Sequence, residues 1–433
     1  MLKLRDLRAV LAVAQTGSVR GAAAQLNLSQ PAATHAVKRV EDQLGVMLFD
    51  RHHNGMKLTP LGKLAANRAD RALRHLALAG DEIARSSRPF QPLTSGMLER
   101  AVTWAQLQAV IEVDDCKNIA CAAKRMAVTQ TAIYRNLREI EGIIGTSLFR
   151  QGDGFIPTPA GEVLIRSANL AFAELRIINE EIQHAFGRIA GRVVIGTLPS
   201  ARSILVPKTI AQLSKQYSEL QFALIDESYD DLQAGLSRGT IDVIVGSIRP
   251  QPEPANIHQQ VLFREPVAVI SGATHPLNGQ AQVTIEDLSR MRWAMPRRGV
   301  PTRDYFEALF ARAGIPQPSD VVESDSLIAI RTLMTEDDRL TLMSPYRADL
   351  ELQIGLLKIV PFDVSEMSFG FGYMIRSHAS LSPGVSAFIR ALCDLSKDEA
   401  SRWNFGARVL LSPDLTPRPA FAPATAGAHI KLN

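Results

Sequence analysis

The sequence predicts a multidomain chain in which two tandem, mostly helical units precede a two-part α/β region. Three observations carry this. Val19 to Phe49 reads as two helices meeting at a short turn, and a basic hairpin follows. Residues 98–161 repeat the pattern of residues 1–62 at an offset of 100. From Gly191 the hydrophobic period changes to that of alternating strands and helices. A chain of 433 residues is long enough for several separate cores.

The first helix, Leu4 to Ala14, presents Leu4, Leu7, Val10 and Leu11 to one side. In the helical pair that follows, Ala22, Ala23 and Leu26, then Val37, Val40, Leu44 and Phe49, recur at helical spacing and give each helix a buried face. Asn27-Leu28 is the turn between them. Ser29 is placed to cap the second helix, with Pro31 in its first turn, where a missing N–H costs nothing. The outward positions are then Gln30, Thr34, His35 and Lys38, whose donors suit base edges and phosphates when a helix N-terminus enters a major groove. An ordinary helical pair with a polar face would show the same pattern.

Asp50 to Gly62 adds to it. Asn54-Gly55 is a tight-turn dipeptide flanked by Arg51, His52, His53 and Lys57, the make-up of a basic β-wing. Two helices and a wing make residues 1–62 a winged helix-turn-helix. With SQPAAT opening the second helix, EDQLGVMLFDR after it and LTPLG closing the wing, the stretch resembles the DNA-binding domain of LysR-type transcriptional regulators. That resemblance covers about residues 1–395 and is strongest in 4–62. It implies a sequence-specific regulator that binds double-stranded DNA, responds to a small-molecule effector, forms a homodimer or homotetramer and works with RNA polymerase. No cofactor is implied.

Residues 63–97 form a helix and a linker. The helix, Lys63 to Ala84, carries a seam of Ala65, Ala69, Ala72, Leu76, Ala79 and Ile83, stepping by four and three. In the family a helix here pairs two subunits, although so much alanine also suits a weaker or intramolecular contact. Ser86 to Pro92 is a Ser/Pro linker.

The repeat then begins. Leu107, Ala109, Val110 and Val113 match Leu7, Ala9, Val10 and Val13, and Gln130, Ala132, Glu141, Gly145 and Phe149 fall on Gln30, Ala32, Glu41, Gly45 and Phe49. A second winged unit therefore spans 98–161. It has drifted where DNA would be read: Thr131 stands for Pro31, Tyr134 for Thr34 and Gln151 for Arg51. Thr129, Gln130, Tyr134, Arg135 and Arg138 remain candidates for DNA contact, beside a structural or spacing role. Charge divides the same way. Residues 1–88 hold 14 Lys+Arg against 7 Asp+Glu, net +7, whereas 98–188 hold 10 against 11, net −1. A polyanion partner is expected at the N-terminus.

Residues 162–190 form a linker helix whose seam, Leu164, Ala168, Ala171, Leu175, Ile178, Ile182 and Ala185, has heptad spacing. By the family resemblance it pairs subunits; packing on its own domain is the alternative.

Residues 191–398 read as two α/β subdomains. A strand entering a helix at Gly191–Ser200 and strands at Phe222–Asp226 and Asp242–Ser247, separated by helices at Ile204–Tyr217 and Asp230–Arg238, predict a parallel doubly wound sheet. Strands at Pro266–Ser271, Arg292–Pro296 and Arg339–Ser344 belong to a second set, with helices around Tyr305–Ala313 and Leu327–Met334. The strand Ser368–Arg376 and helix Ser382–Leu395 return to the first. This resembles the family's effector-binding region of periplasmic-binding-protein type. The tail, 399–433, is rich in Pro and Ala and expected to be disordered.

Ligands of such sheets bind beyond the carboxyl ends of the strands. That selects Thr197, Leu198, Pro199, Ser200, Ser247 and Ile248 from one half, and Pro296, Arg297, Arg298 and Ser324-Asp325 from the other. Ser200 near a helix start suits a carboxylate, so an anionic effector is among the ligands expected; Ser200 as a simple helix cap is the alternative.

Several classes are disfavoured. No apolar run approaches the roughly 20 residues of a membrane span and no signal-peptide core is present, so a cytoplasmic protein with no membrane partner is expected. No nucleophile–base pairing, metal-ligand spacing or phosphate loop suggests an enzyme or a metal site. Cys116, Cys121 and Cys393 are too few and too scattered for a disulfide frame or a zinc site, and core packing is expected for all three, with redox sensing the lesser alternative. The α/β half alone would also allow a cytosolic solute-binding or sensor protein, with the second winged unit serving only protein–protein contact.

Overall fold

The structure, a computed structural model, describes residues 2–52, 55–86, 96–152, 154–249, 256–364, 367–377 and 379–402. The first unit comprises α1 (Leu4–Thr16), α2 (Val19–Gln25), α3 (Gln30–Leu44) and the hairpin β1 (Phe49–His52) and β2 (Gly55–Leu58), and runs into α4 (Pro60–Ser86). After the short α5 (Leu98–Ala101) the order recurs: α6 (Trp104–Cys116), α7 (Ile119–Arg125), α8 (Gln130–Ile144), β3 (Phe149–Gly152), β4 (Gly154–Pro157) and α9 (Pro159–Ala185).

The two units share their internal contacts. Ser29 and Thr129 cap α3 and α8 by accepting from the N–H of Ala32 and Ala132. Gly45 and Gly145 end those helices in the left-handed conformation that costs glycine least. Glu41 and Glu141 turn back to accept from the Leu48 and Leu148 N–H, each at 2.8 Å. Gly62 and Gly161 lie so close to the Leu48 and Leu148 carbonyl oxygens that any side chain would collide with main chain. One exchange is chemical: Arg39 forks onto buried Asp6 at 2.6 and 3.0 Å, whereas the matching pair is Gln106 donating to Glu139 at 2.9 Å.

The long helices α4 and α9 pack on each other within the chain. Ala65, Ala69, Ala72, Leu76, Ala79 and Ile83 are buried, as are Leu164, Ala168, Ala171, Leu175, Ile178 and Ile182, in one apolar cluster running from Leu2 to Ile182. Arg68 of α4 meets Glu174 and Glu181 of α9 at 2.7 and 2.6 Å, and Glu82 meets Arg166 at 2.7 Å. One index rises as the other falls, so the helices run antiparallel. This corrects the expectation that the α9 seam pairs two subunits. Alanines on α4 leave room for the larger residues of α9, and the seam is filled from within; Ala185, its expected last member, is exposed.

Beyond α9 come β5 (Gly191–Thr197), α10 (Leu205–Gln216), β6 (Leu220–Ile225), α11 (Tyr229–Arg238), β7 (Val243–Ile248) and β8 (Ile257–Pro266). A second lobe follows: β9 (Ala268–Gly272), α12 (Ile285–Ser289), β10 (Trp293–Met295), α13 (Pro301–Ala313), β11 (Val321–Glu323), α14 (Leu327–Glu336), β12 (Thr341–Met343), α15 (Asp349–Gln353) and β13 (Leu357–Ile359). Then β14 (Ser368–Arg376) and α16 (Pro383–Arg402) return to the first. The first sheet has the order β6-β5-β7-β14-β8, with β6, β5 and β7 parallel and β14 antiparallel to both its neighbours.

The second lobe is not doubly wound in parallel. β12 and β13 flank β9 antiparallel, while β10 pairs in parallel with β11 and, through Trp293 and Leu340, with the chain just before β12. β8, β11 and β13 were not anticipated: each is short, or lacks the alternation that marks a strand. Helix α16 runs to Arg402, so residues 399–402 of the expected tail are helical. Residues 403–433 lie outside the described residues, as does the linker from residue 87 to 95.

The cysteines differ as well. Cys116 ends α6 and Cys121 lies on α7, and the two form a disulfide with Cα atoms 5.8 Å apart. Cys121 is exposed, so neither packs as a core residue. Cys393 is half-buried and free. Among the described residues, no helix is long and apolar enough to cross a membrane.

Removing Arg68 strands two carboxylates at the helix junction. Arg68→Ala should cost about 3–5 kcal/mol in denaturant unfolding of the full chain. Arg74→Ala, which breaks the exposed pair with Asp70, should cost no more than about 0.5 kcal/mol. Equal losses would remove the buried junction from the account of stability.

Candidate DNA interface and ligand cleft

Helix α3 buries Ala33, Ala36, Val37 and Val40 and thereby turns Gln30, Pro31, His35 and Lys38 outward, all exposed, beside its cap Ser29. Thr34 is half-buried, and its hydroxyl donates back to the Gln30 carbonyl at 3.0 Å. The wing register sets Asp50 opposite Lys57 and His52 opposite Gly55. His52 and Lys57 are exposed; Arg51 lies in β1, but its side chain and all of His53 fall outside the described residues. Met56 N–H donates to the Gly17 carbonyl at 2.8 Å and ties the wing to the α1–α2 turn. On α8, Thr129, Gln130, Tyr134, Arg135 and Arg138 occupy the corresponding outward face, with Arg135 3.8 Å from Glu139.

Between the lobes lies a cavity of about 330 Å³. Eight of the expected residues line it: Leu198, Pro199, Ser200, Ser247, Ile248, Pro296, Arg297 and Asp325. Two do not. The Thr197 hydroxyl donates to the Ile225 carbonyl at 3.3 Å, and Ser324 accepts from the Ser326 N–H at 3.2 Å, so both hold main chain. Arg298 is exposed outside the lining, near Glu307, while Asp325 belongs to the cavity and pairs with Arg297 at 3.4 Å. Ser200 caps nothing, because α10 begins only at Leu205 after a stretch of turns. The supposed helix N-terminus for an anion is absent there.

The unforeseen centre of the cleft is Glu265, at the end of β8. It is 1% exposed, and burial pushes its carboxyl up to about 6 against the opposing hydroxyls of Ser344, Ser200 and Ser247. Ser247 Oγ lies 3.5 Å from Oε2, and Oε1 has no hydrogen-bond partner. Around it stand Arg202, paired with Asp226; Arg249, whose guanidinium lies 4.0 Å over the Tyr229 ring; and Arg347, which donates to the Asp325 main-chain oxygen at 2.6 Å. Leu198, Ile248, Met343 and Phe369 give the cavity apolar walls. A carboxylate at the end of an unrecognised strand left no periodic signal. Among the described residues, no cluster of three potential metal ligands occurs.

A capped helix bearing outward donors beside a basic hairpin, joined to a cleft between α/β lobes, defines a ligand-responsive DNA-binding regulator. The chain matches the bacterial regulatory helix-turn-helix family of LysR type twice, over residues 4–63 and 104–162, and the LysR substrate-binding domain over 186–396. It belongs to the LysR family of transcriptional regulators, which are not enzymes. The regulator GalR of Pseudomonas putida is 29% identical over 398 residues, covering 92% of this chain and 98% of that one, so the match runs through both winged units. GbpR of Azospirillum brasilense is 27% identical over 66% of this chain and 84% of its own. Two solved structures share the fold. Full-length OxyR of Pseudomonas aeruginosa has a TM-score of 0.53 at 22% identity, covering 68% of this chain and 95% of its own. CbnR with its target DNA has 0.50 at 20% identity, covering 68% and 99%.

Glu265 titrates near 6 in the folded chain against an ordinary 4.5. The folded state therefore holds that proton more tightly. The resulting stability is fully present below pH 4.5 and lost as pH rises through 6, a change of about 2 kcal/mol. Glu265→Gln should lack this loss, so its stability relative to the parent should climb between pH 4.5 and 7 in denaturant titrations. A pH-independent difference would remove Glu265 as the titrating group.

Proposed function

We propose that the chain regulates transcription in the cytoplasm by placing α3 in a major groove, with Gln30, Thr34, His35 and Lys38 meeting bases and phosphates under the Ser29–Pro31 N-terminus. His52, Lys57 and the neighbouring wing residues Arg51 and His53 hold the flanking backbone. The carrying observation is the outward, uncovered donor set at a capped helix start in the basic half of the chain. Thr129, Gln130, Tyr134, Arg135 and Arg138 give α8 a related but different surface. CbnR, of the same fold, was solved with its target DNA.

The effector is a small organic molecule carrying both a hydrogen-bond donor and an anionic group. Glu265 Oε1, buried without a partner, calls for the donor, and Arg202, Arg249 and Arg347 favour the anion. The volume suits a molecule at the small end of ligand size. With α4 and α9 already paired, assembly into a homodimer or homotetramer, and contact with RNA polymerase, use other surfaces.

Two measurements test this. Gln30→Ala should weaken binding to the preferred duplex by about 1–3 kcal/mol at fixed salt, and binding should fall steeply as salt rises. Ser200→Trp should leave duplex affinity unchanged while abolishing the effector's influence on it. Salt-insensitive binding would sink the DNA reading; an intact response in Ser200→Trp would move the effector elsewhere.

A further inference from the structure

We propose that a single chain is a complete two-headed DNA reader, holding two unequal half-sites of one duplex in the way that other proteins need two subunits to do. The inference rests on the DNA-binding reading above and adds its stoichiometry and symmetry.

Helices α4 and α9 are equivalent elements at an offset of 99, since Pro60 corresponds to Pro159 and Ser86 to Ala185. They are antiparallel, and their register survives exchange. The observed pair Glu82–Arg166 maps onto Glu181–Asn67, one residue from the observed Arg68–Glu181 pair. Two equivalent helices whose contacts interchange in this way are related by a local two-fold axis, here near Leu73 and its counterpart Phe172. Each helix leads straight out of a wing, so the two heads inherit that relation. A two-fold relation between heads is what a two-half-site target demands.

The span agrees. Helices of 27 residues extend about 40 Å. Running antiparallel, they set the two wing junctions apart by that length, on the scale of the roughly 34 Å between successive major grooves on one face of DNA. No second chain is needed to complete the arrangement. The seam is closed, and Arg68, 3% exposed, is saturated by two carboxylates of the same chain and the Ser380 carbonyl.

The heads are alike in frame and different in reading edge. Gln30 and Gln130 correspond, but Pro31, Thr34, His35 and Lys38 become Thr131, Tyr134, Arg135 and Arg138. The target is therefore directional: two dissimilar half-sites in fixed order, not a palindrome.

The test uses the full chain on a duplex carrying its strongest site. Native mass spectrometry counts chains per duplex, and hydroxyl-radical cleavage maps the protected grooves for the parent, Lys38→Glu and Arg138→Glu. The expected result is two protected grooves per bound chain. Lys38→Glu should erase one of them and Arg138→Glu the other, each weakening overall binding by about tenfold or more. Loss of both grooves in Lys38→Glu with none in Arg138→Glu would overturn the proposal, because it would mean two copies of the first head from two chains. If each variant abolishes all protection, the parent's count decides: two grooves per chain supports the proposal and one refutes it. Failure of the parent to bind any duplex would instead remove the DNA-binding reading itself.

Discussion

The antiparallel packing of α4 on α9 is the constraint on which the rest depends. It fuses two winged units that share no sheet into a single apolar cluster, and it fixes where each recognition helix points. Its specificity is carried by Arg68. Apolar seams of alanine, leucine and isoleucine can slide by a turn at modest cost, whereas a buried guanidinium between two carboxylates cannot. A shift would leave three charges out of water without partners, which costs far more than a few misplaced methyl groups. The ion cluster thus sets the register, and the apolar seam supplies the adhesion.

The winged units show how much of a fold local chemistry can write. Cap, turn and core residues of the first unit are all readable: Ser29 before Pro31, Asn27 at the left-handed turn, Gly45 at the helix end. The second unit was legible because those residues recur at a constant offset, even where Ala127 replaces Asn27 in the left-handed position. What the pattern could not give was the partner of each seam. Heptad spacing states that a helix packs against another helix, not which one, and α4 and α9 satisfy each other as well as any second chain would. The alanine content of α4 was the available clue, since small residues on one side match large ones on the other.

The cleft divides along the same line. Residues at the ends of β5 and β7 were found from strand position alone, because a parallel sheet places its loops predictably. Glu265 escaped because β8 is an antiparallel addition beside β14 with no clean alternation, its register slipping at Leu262 opposite Phe371 and Gly372 of β14. Thr197 and Ser324 occupy the expected positions but spend their polar atoms on main chain. Strand ends choose the neighbourhood; hydrogen-bond satisfaction decides which side chains remain free for a ligand.

Cleft and heads are joined by a short series of polar contacts through α9. Arg176 of α9 bonds Asp242 at 2.8 Å, and Asp242 also accepts the Val194 N–H of β5, the strand that ends at the cleft. On the same helix, Glu174 and Glu181 hold Arg68 of α4, which reaches the Ser380 carbonyl just before α16. Helix α9 is therefore both the stem of the second head and the surface on which the α/β region rests. Because α4 and α9 share one packed core, a displacement of the α/β region cannot move one head and leave the other behind. Close-packed interiors deform by discrete repacking and not by gradual bending. On the proposal above, a change made at the cleft reaches DNA as a reorientation of the pair of heads together. A one-chain two-headed reader thus differs from two loosely tethered domains: its half-site spacing is set by a helix pair, and the effector region acts on that pair as a unit.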